Sequence, residues 1–116
     1  MSKTNANVAA VCPPEGPSRS SLPDPRSPEA DVELAAFAKA LAHPTRVKIL
    51  RLLTKKEARM CSHIVDELPL AQSTVSEHLR ILRAVGLVHA NESGSCVGYC
   101  IVPAKVRRLK QLLDAL

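Results

Sequence analysis

Glu67-Leu-Pro-Leu-Ala-Gln-Ser-Thr-Val-Ser-Glu-His-Leu-Arg-Ile-Leu-Arg-Ala-Val-Gly-Leu-Val88 is the stretch that decides the fold. It reads as the end of a short helix, a tight turn at Pro69 and a second helix over 72–84. In that second helix Val75, Leu79, Leu82 and Val85 fall on one face at helical spacing. Ser73, Glu77 and Arg80 point the opposite way, with Thr74 and Ser76 at the flanks. An apolar face backed by short hydrogen-bonding groups and a guanidinium is what a helix needs to lie in the DNA major groove and touch base edges. The same pattern alone also fits an ordinary amphipathic surface helix, so the flanking segments have to decide.

Upstream, Ser62–Leu68 reads as a third, short helix with Ile64, Val65 and Leu68 apolar. Lys55–Arg59 is a polar link. Before it, Pro44 suits the first turn of a helix carrying Val47, Ile49, Leu50, Leu52 and Leu53. Leu34, Phe37, Ala38 and Leu41 give another helical stripe over about residues 31–42. Downstream of Gly86 the period changes, and Leu87–Asn91 and Cys96–Val102 read as two strands joined by a turn at Glu92-Ser93-Gly94-Ser95. A hairpin there is a wing, able to rest on the DNA backbone beside the groove. Pro103 then opens a last helix with Val106, Leu109, Leu112, Leu113 and Leu116 apolar, too apolar to stand alone. The fold class expected is mainly α with a small β-hairpin, a winged helix-turn-helix.

Residues 1–30 hold six of the nine prolines with few apolar side chains between them, which predicts a flexible Pro/Ser-rich arm ahead of a DNA-binding domain over 31–116. The chain is 46% hydrophobic and 2% aromatic, so its core must come from aliphatic side chains on several short helices. Such a core is thin at 116 residues, and a helical dimer would bury more. The arm carries three basic and three acidic residues, so the formal charge of +5 belongs to residues 31–116, where thirteen basic side chains face eight acidic ones. That excess favours a polyanionic partner. No apolar run is long enough to cross a bilayer or to serve as a secretory signal, so a cytoplasmic location without membrane contact is expected. The four cysteines are then expected as thiols or metal ligands rather than disulfides.

Two segments carry a resemblance to a known family. Ala40-Leu-Ala-His-Pro-Thr-Arg-Val-Lys-Ile-Leu-Arg-Leu-Leu53 resembles the second-helix segment of ArsR/SmtB-type repressors, and Leu68–Val88 resembles their recognition helix. The resemblance covers about residues 31–116. It implies a domain-intertwined homodimer joined by the first and last helices, bound to a double-stranded operator and released by an effector, most often a metal or metalloid ion. The family's recognition-helix contacts map onto Gln72, Ser73, Thr74, Ser76, Glu77 and His78. The residues themselves add that Gln72 can bond bidentately to adenine and that Arg80 is better placed for phosphate. His78 lies nearer the apolar flank, where packing competes with DNA contact. The chain departs from many relatives at Ala71, where they have a capping Ser or Thr.

The effector question falls on Cys12, Cys61, Cys96 and Cys100. Cys61 stands just before the helix-turn-helix, where many arsenic-sensing relatives keep cysteines. Cys100, in Gly98-Tyr-Cys-Ile, resembles a family branch with Cys-Tyr-Cys at the end of the wing, with Gly98 in place of the first cysteine. Residues four apart on a straight strand are separated by roughly 13 Å, whereas two sulfurs on one zinc lie within about 4.6 Å. Cys96 and Cys100 therefore share an ion only if Gly98 allows a bulge. Otherwise the site draws on different elements, with Cys61 and Cys100 joined by Cys96 or Cys12. Three thiolates would satisfy trivalent arsenic or antimony, the inducers expected here. Zinc would want a fourth ligand, such as His63 or His89. The competing reading is that Cys61 and Cys100 are small buried apolar residues. The last helix has no His and only Asp114 as a carboxylate, which argues against an intersubunit zinc site there. No phosphate loop, catalytic triad or carboxylate pair suggests an enzyme. A thiol-oxidation-sensing repressor using Cys61 and Cys100, and a winged helix that binds protein rather than DNA, are the alternatives.

Overall fold

The computed structural model describes residues 22–55, 59–66, 68–93 and 96–116, with the backbone alone at 59–63, 92, 93 and 96. Helix α1 is Pro28–Leu41 and α2 is Pro44–Lys55; strand β1 is Arg59–Met60 and α3 is Cys61–Asp66; α4 is Gln72–Ala84; β2 is Val88–Ser93, β3 is Cys96–Ile101 and α5 is Pro103–Asp114. The fold is mainly helical with a β-hairpin, as the sequence predicts. The three strands form one antiparallel sheet in the order β1-β3-β2.

The first helix begins three residues ahead of the expected Asp31, and its cap explains why. The Ser27 hydroxyl accepts a hydrogen bond from the Ala30 amide at 3.1 Å, Pro28 takes the first turn where no amide is needed, and Glu29 and Asp31 sit at the positive end of the helix dipole. The preceding residues are held too. Arg108 of α5, only 3% exposed, donates to both oxygens of Glu33 at 3.0 and 2.8 Å and to the Pro23 carbonyl at 2.8 Å. Residues 22–30 thus belong with the domain, and the rest of the expected arm lies outside the described residues. Strand β1 was not foreseen: at the end of the expected polar link, Arg59 and the following Met60 pair with Tyr99 and Gly98. Two residues are too few to carry an alternating pattern.

Helix α4 has the predicted bounds. Its start is uncapped by any side chain, because Ala71 offers only its carbonyl, to the amides of Thr74 and Val75 at 3.1 Å each. Its end is closed by a Schellman motif: the Leu87 amide donates to the Leu82 carbonyl and the Gly86 amide to the Arg83 carbonyl. Gly86 makes the reversal at φ +83°, a conformation that side chains with a Cβ resist. The chain then enters the hairpin, and the Val102 amide bonds back to the Leu87 carbonyl at 3.0 Å, so α5 starts beside the end of α4.

One aliphatic core unites these elements. Ile49 and Leu53 of α2, Ile64 of α3, Val75, Leu79 and Leu82 of α4, Leu87, and Leu112 of α5 are fully buried, with Phe37 of α1 beside them. Burying each such side chain contributes about 1.5–3 kcal/mol, so α4 is held by its apolar face while its other face is left free. Val32 of α1 and Leu113 and Leu116 at the C-terminus stay exposed.

Candidate nucleic-acid interface

The solvent face of α4 carries Gln72, Ser73, Thr74, Glu77 and Arg80, all exposed, with Ser76 half-buried at its edge. The apolar stripe under it comprises Val75, Leu79 and Leu82, all 0% exposed. The first turn therefore presents an amide and two hydroxyls to solvent. One turn on, Arg80 donates to both oxygens of Glu77, from Nε at 2.9 Å and from Nη2 at 2.6 Å. The hydrogen bond from Arg80 holds the Glu77 carboxyl below its ordinary range. Without DNA, the guanidinium expected to reach phosphate is thus occupied by its own neighbour.

His78 does not share that face. It is 8% exposed and its ring leans on His43, centroid to centroid 4.5 Å at 52°. Arg46 Nη1 lies 3.2 Å from His78 Nδ1, and Arg46 Nε donates to the Ala40 carbonyl at 2.6 Å. Burial, His43 and Arg46 push the His78 imidazole below its ordinary pKa. The helical turn places His78 toward α2, on the protein side of α4, the packing position that competed with DNA contact in the sequence. Sequence reading missed Arg46 as its partner, since a pair 32 residues apart leaves no spacing signal.

The model of the bacterial regulatory protein arsR family matches residues 43–90. An HTH-type transcriptional regulator of Methanocaldococcus jannaschii is 39% identical over 82 residues, covering 71% of this chain and 92% of the relative. The chain belongs to the arsR family. Transcriptional repressor PagR of Bacillus anthracis is 38% identical over 80 residues, covering 69% of this chain and 80% of the repressor. The crystal structure of a possible transcriptional regulator for arsenical resistance superposes with a TM-score of 0.62 at 30% identity, over 66% of this chain and 79% of that one. As an arsR-family winged helix, the chain is a DNA-binding transcriptional regulator and not an enzyme.

Cys61, Cys96 and Cys100 lie on elements other than α4. Cys100 is buried in β3, the central strand, and is disulfide-bonded. The expectation that all four cysteines are thiols or metal ligands is corrected at this residue; it rested on compartment, which says nothing about which sulfurs the fold brings together. Cys96 is four residues away on the same strand. The β2–β3 register runs unbroken from Val88↔Ile101 to Ser93↔Cys96, so Gly98 makes no bulge. The roughly 13 Å separation of a straight strand therefore stands, and it is too great for a shared ion or an S–S bond. Cys61 opens α3 immediately after Met60, whose partner is Gly98 on the strand that holds Cys100. Cys12 lies outside the described residues. His89 is the register partner of Cys100, so the two occupy one face of the hairpin. Among the described residues no three His, Cys, Asp or Glu side chains converge as a metal site, and no helix is long and apolar enough to cross a membrane.

Proposed function

We propose that this chain is a homodimeric repressor that reads its operator with the first turns of α4 and is switched by thiol chemistry at Cys100. The exposed α4 face and the +5 charge support the DNA half of this reading. The relative named a repressor, PagR, supports the direction of control. Val32, Leu113 and Leu116 supply apolar surface on α1 and at the C-terminus for a second subunit. The observation that carries the switch is the disulfide at Cys100, a residue buried in the central strand β3.

We take Cys61 as the partner, because α3, which it opens, touches β3. A bond between them ties the first helix of the helix-turn-helix to the wing. Making or breaking it shifts α3, and with α3 the angle at which α4 is presented. Both recognition helices of a dimer would change together, so operator affinity would respond steeply. Two thiols become one disulfide by losing two electrons and two protons to an oxidant such as a peroxide.

A sulfur pair close enough to bond can also chelate a soft ion. Trivalent arsenic or antimony on Cys61 and Cys100, with Cys12 as third thiolate, is the second reading, supported by the solved relative titled for arsenical resistance. Zinc fits if His89 joins the set. A DNA-release assay on the reduced protein separates these inducers, using hydrogen peroxide, arsenite, antimonite and zinc in turn on wild type and on four single Cys→Ser variants. The redox reading expects release by peroxide, reset by a dithiol and lost in Cys61→Ser and Cys100→Ser but retained in Cys96→Ser. Release by arsenite alone would favour the metalloid reading, and normal release from Cys100→Ser by every agent would remove both.

A further inference from the structure

The contacts of His78 and Arg46 join three helices at one point. Arg46 Nε is fixed on the Ala40 carbonyl at the end of α1, while its Nη1 reaches the imidazole on α4. A guanidinium has donors and no acceptor. Nδ1 of His78 must therefore be the acceptor, and the ring is neutral with its proton on Nε2. His43 closes the other side of the ring, and its own Nδ1 accepts from the Thr45 amide at 3.1 Å, capping α2. Among the described residues, the charged or titratable groups acting on His78 are His43, Arg46 and, on its own helix, Glu77.

We propose that Arg46 and His78 are positioning residues for DNA binding: a neutral His78 latches α4 to the α1–α2 corner through Arg46, and protonation of the imidazole opens the latch and releases DNA. The proposal rests on the DNA-binding function argued above. Adding a proton to Nδ1 turns the hydrogen bond into an N–H facing an N–H and sets two cations side by side in a buried contact. The ring must then leave, and α4 loses the contact that fixes its tilt one helical turn behind Thr74. Neither residue need touch DNA.

The sign of the pH dependence follows. His78 is held below its ordinary pKa of 6.5 by burial first, then by His43 and Arg46, while Glu77 pulls weakly the other way. Above 6.5 the ring is neutral folded or unfolded, and the latch is complete. As pH falls below that value the unlatched ring takes up a proton more readily than the latched one. Stability and DNA affinity therefore decline together toward acid.

The test begins with a duplex that the full-length protein selects from a randomised pool at pH 7.5. Affinity for it is then measured from pH 7.5 to 5.5, a range in which DNA phosphates do not titrate. For wild type, affinity should fall by about tenfold per pH unit per subunit once the pH passes below the His78 pKa. His78→Asn keeps an acceptor near the Nδ1 position and cannot be protonated, so its profile should be flat across the range, whatever its affinity at pH 7.5. Arg46→Met removes the other half of the latch, so its affinity at pH 7.5 should already be reduced and its further loss toward acid should be smaller than in wild type. Circular dichroism at each pH confirms that the helices persist. A His78→Asn profile superposing on a falling wild-type profile, or a wild-type profile that is itself flat, would overturn the proposal. Failure of the pool to yield any duplex would instead overturn the DNA-binding reading, and the latch with it.

Discussion

At the scale of single residues, Glu77 is the unusual member of the α4 face, a carboxylate among groups suited to meet phosphates. Its oxygens are held by Arg80 at 2.6 and 2.9 Å, and both side chains are more than half exposed. An exposed pair of this kind adds little to stability, so its effect belongs to binding. In the proposed complex, Glu77 would withhold Arg80 from phosphate until another donor, such as a cytosine amine, took its place. Glu77→Gln should therefore leave the melting temperature unchanged, raise affinity for a scrambled duplex several-fold and steepen its salt dependence, as read by fluorescence anisotropy at two salt concentrations. Unchanged affinity for scrambled DNA would count against this role. Which α4 residues face solvent was legible in the sequence, because helical periodicity alone assigns them. The Arg46–His78 contact was not, since it depends on how α2 and α4 cross.

The elements were legible in proportion to the length of their pattern. Helix α4 has the expected bounds because four apolar residues at helical spacing lie between an obvious turn and Gly86. Strand β1 escaped because two residues have no periodicity, and the start of α1 was misplaced because its proline-rich approach looked like linker. Opposite ends of α4 make a paired stability prediction. Ala71→Ser supplies the missing cap and should stabilise the domain by about 1 kcal/mol. Gly86→Ala must hold a side chain at φ +83°, with its new Cβ 3.0 Å from Lys105 Cε, and should cost on the order of 1–2 kcal/mol. Thermal unfolding followed by circular dichroism would show the two shifts with opposite sign. The disulfide at Cys100 was not legible in this way: sequence offered four cysteines, and only the sheet register removes Cys96 as the partner.

At the scale of the whole molecule, the arsR-family fold places a basic winged helix-turn-helix on one side and leaves Val32, Leu113 and Leu116 exposed on α1 and at the C-terminus. The proposed dimer covers those residues and presents two α4 helices to successive turns of a major groove. Its sequence preference should then be two-fold symmetric, and α4 should set it. The most direct measurement is selection from a randomised duplex pool by wild type and by Gln72→Ala. Wild type should enrich an inverted repeat whose half-sites are centred about one helical turn, or a multiple of it, apart. Gln72→Ala should still bind but lose its preference at one symmetric pair of positions. Enrichment of no motif, or of the same motif by both proteins, would contradict the account.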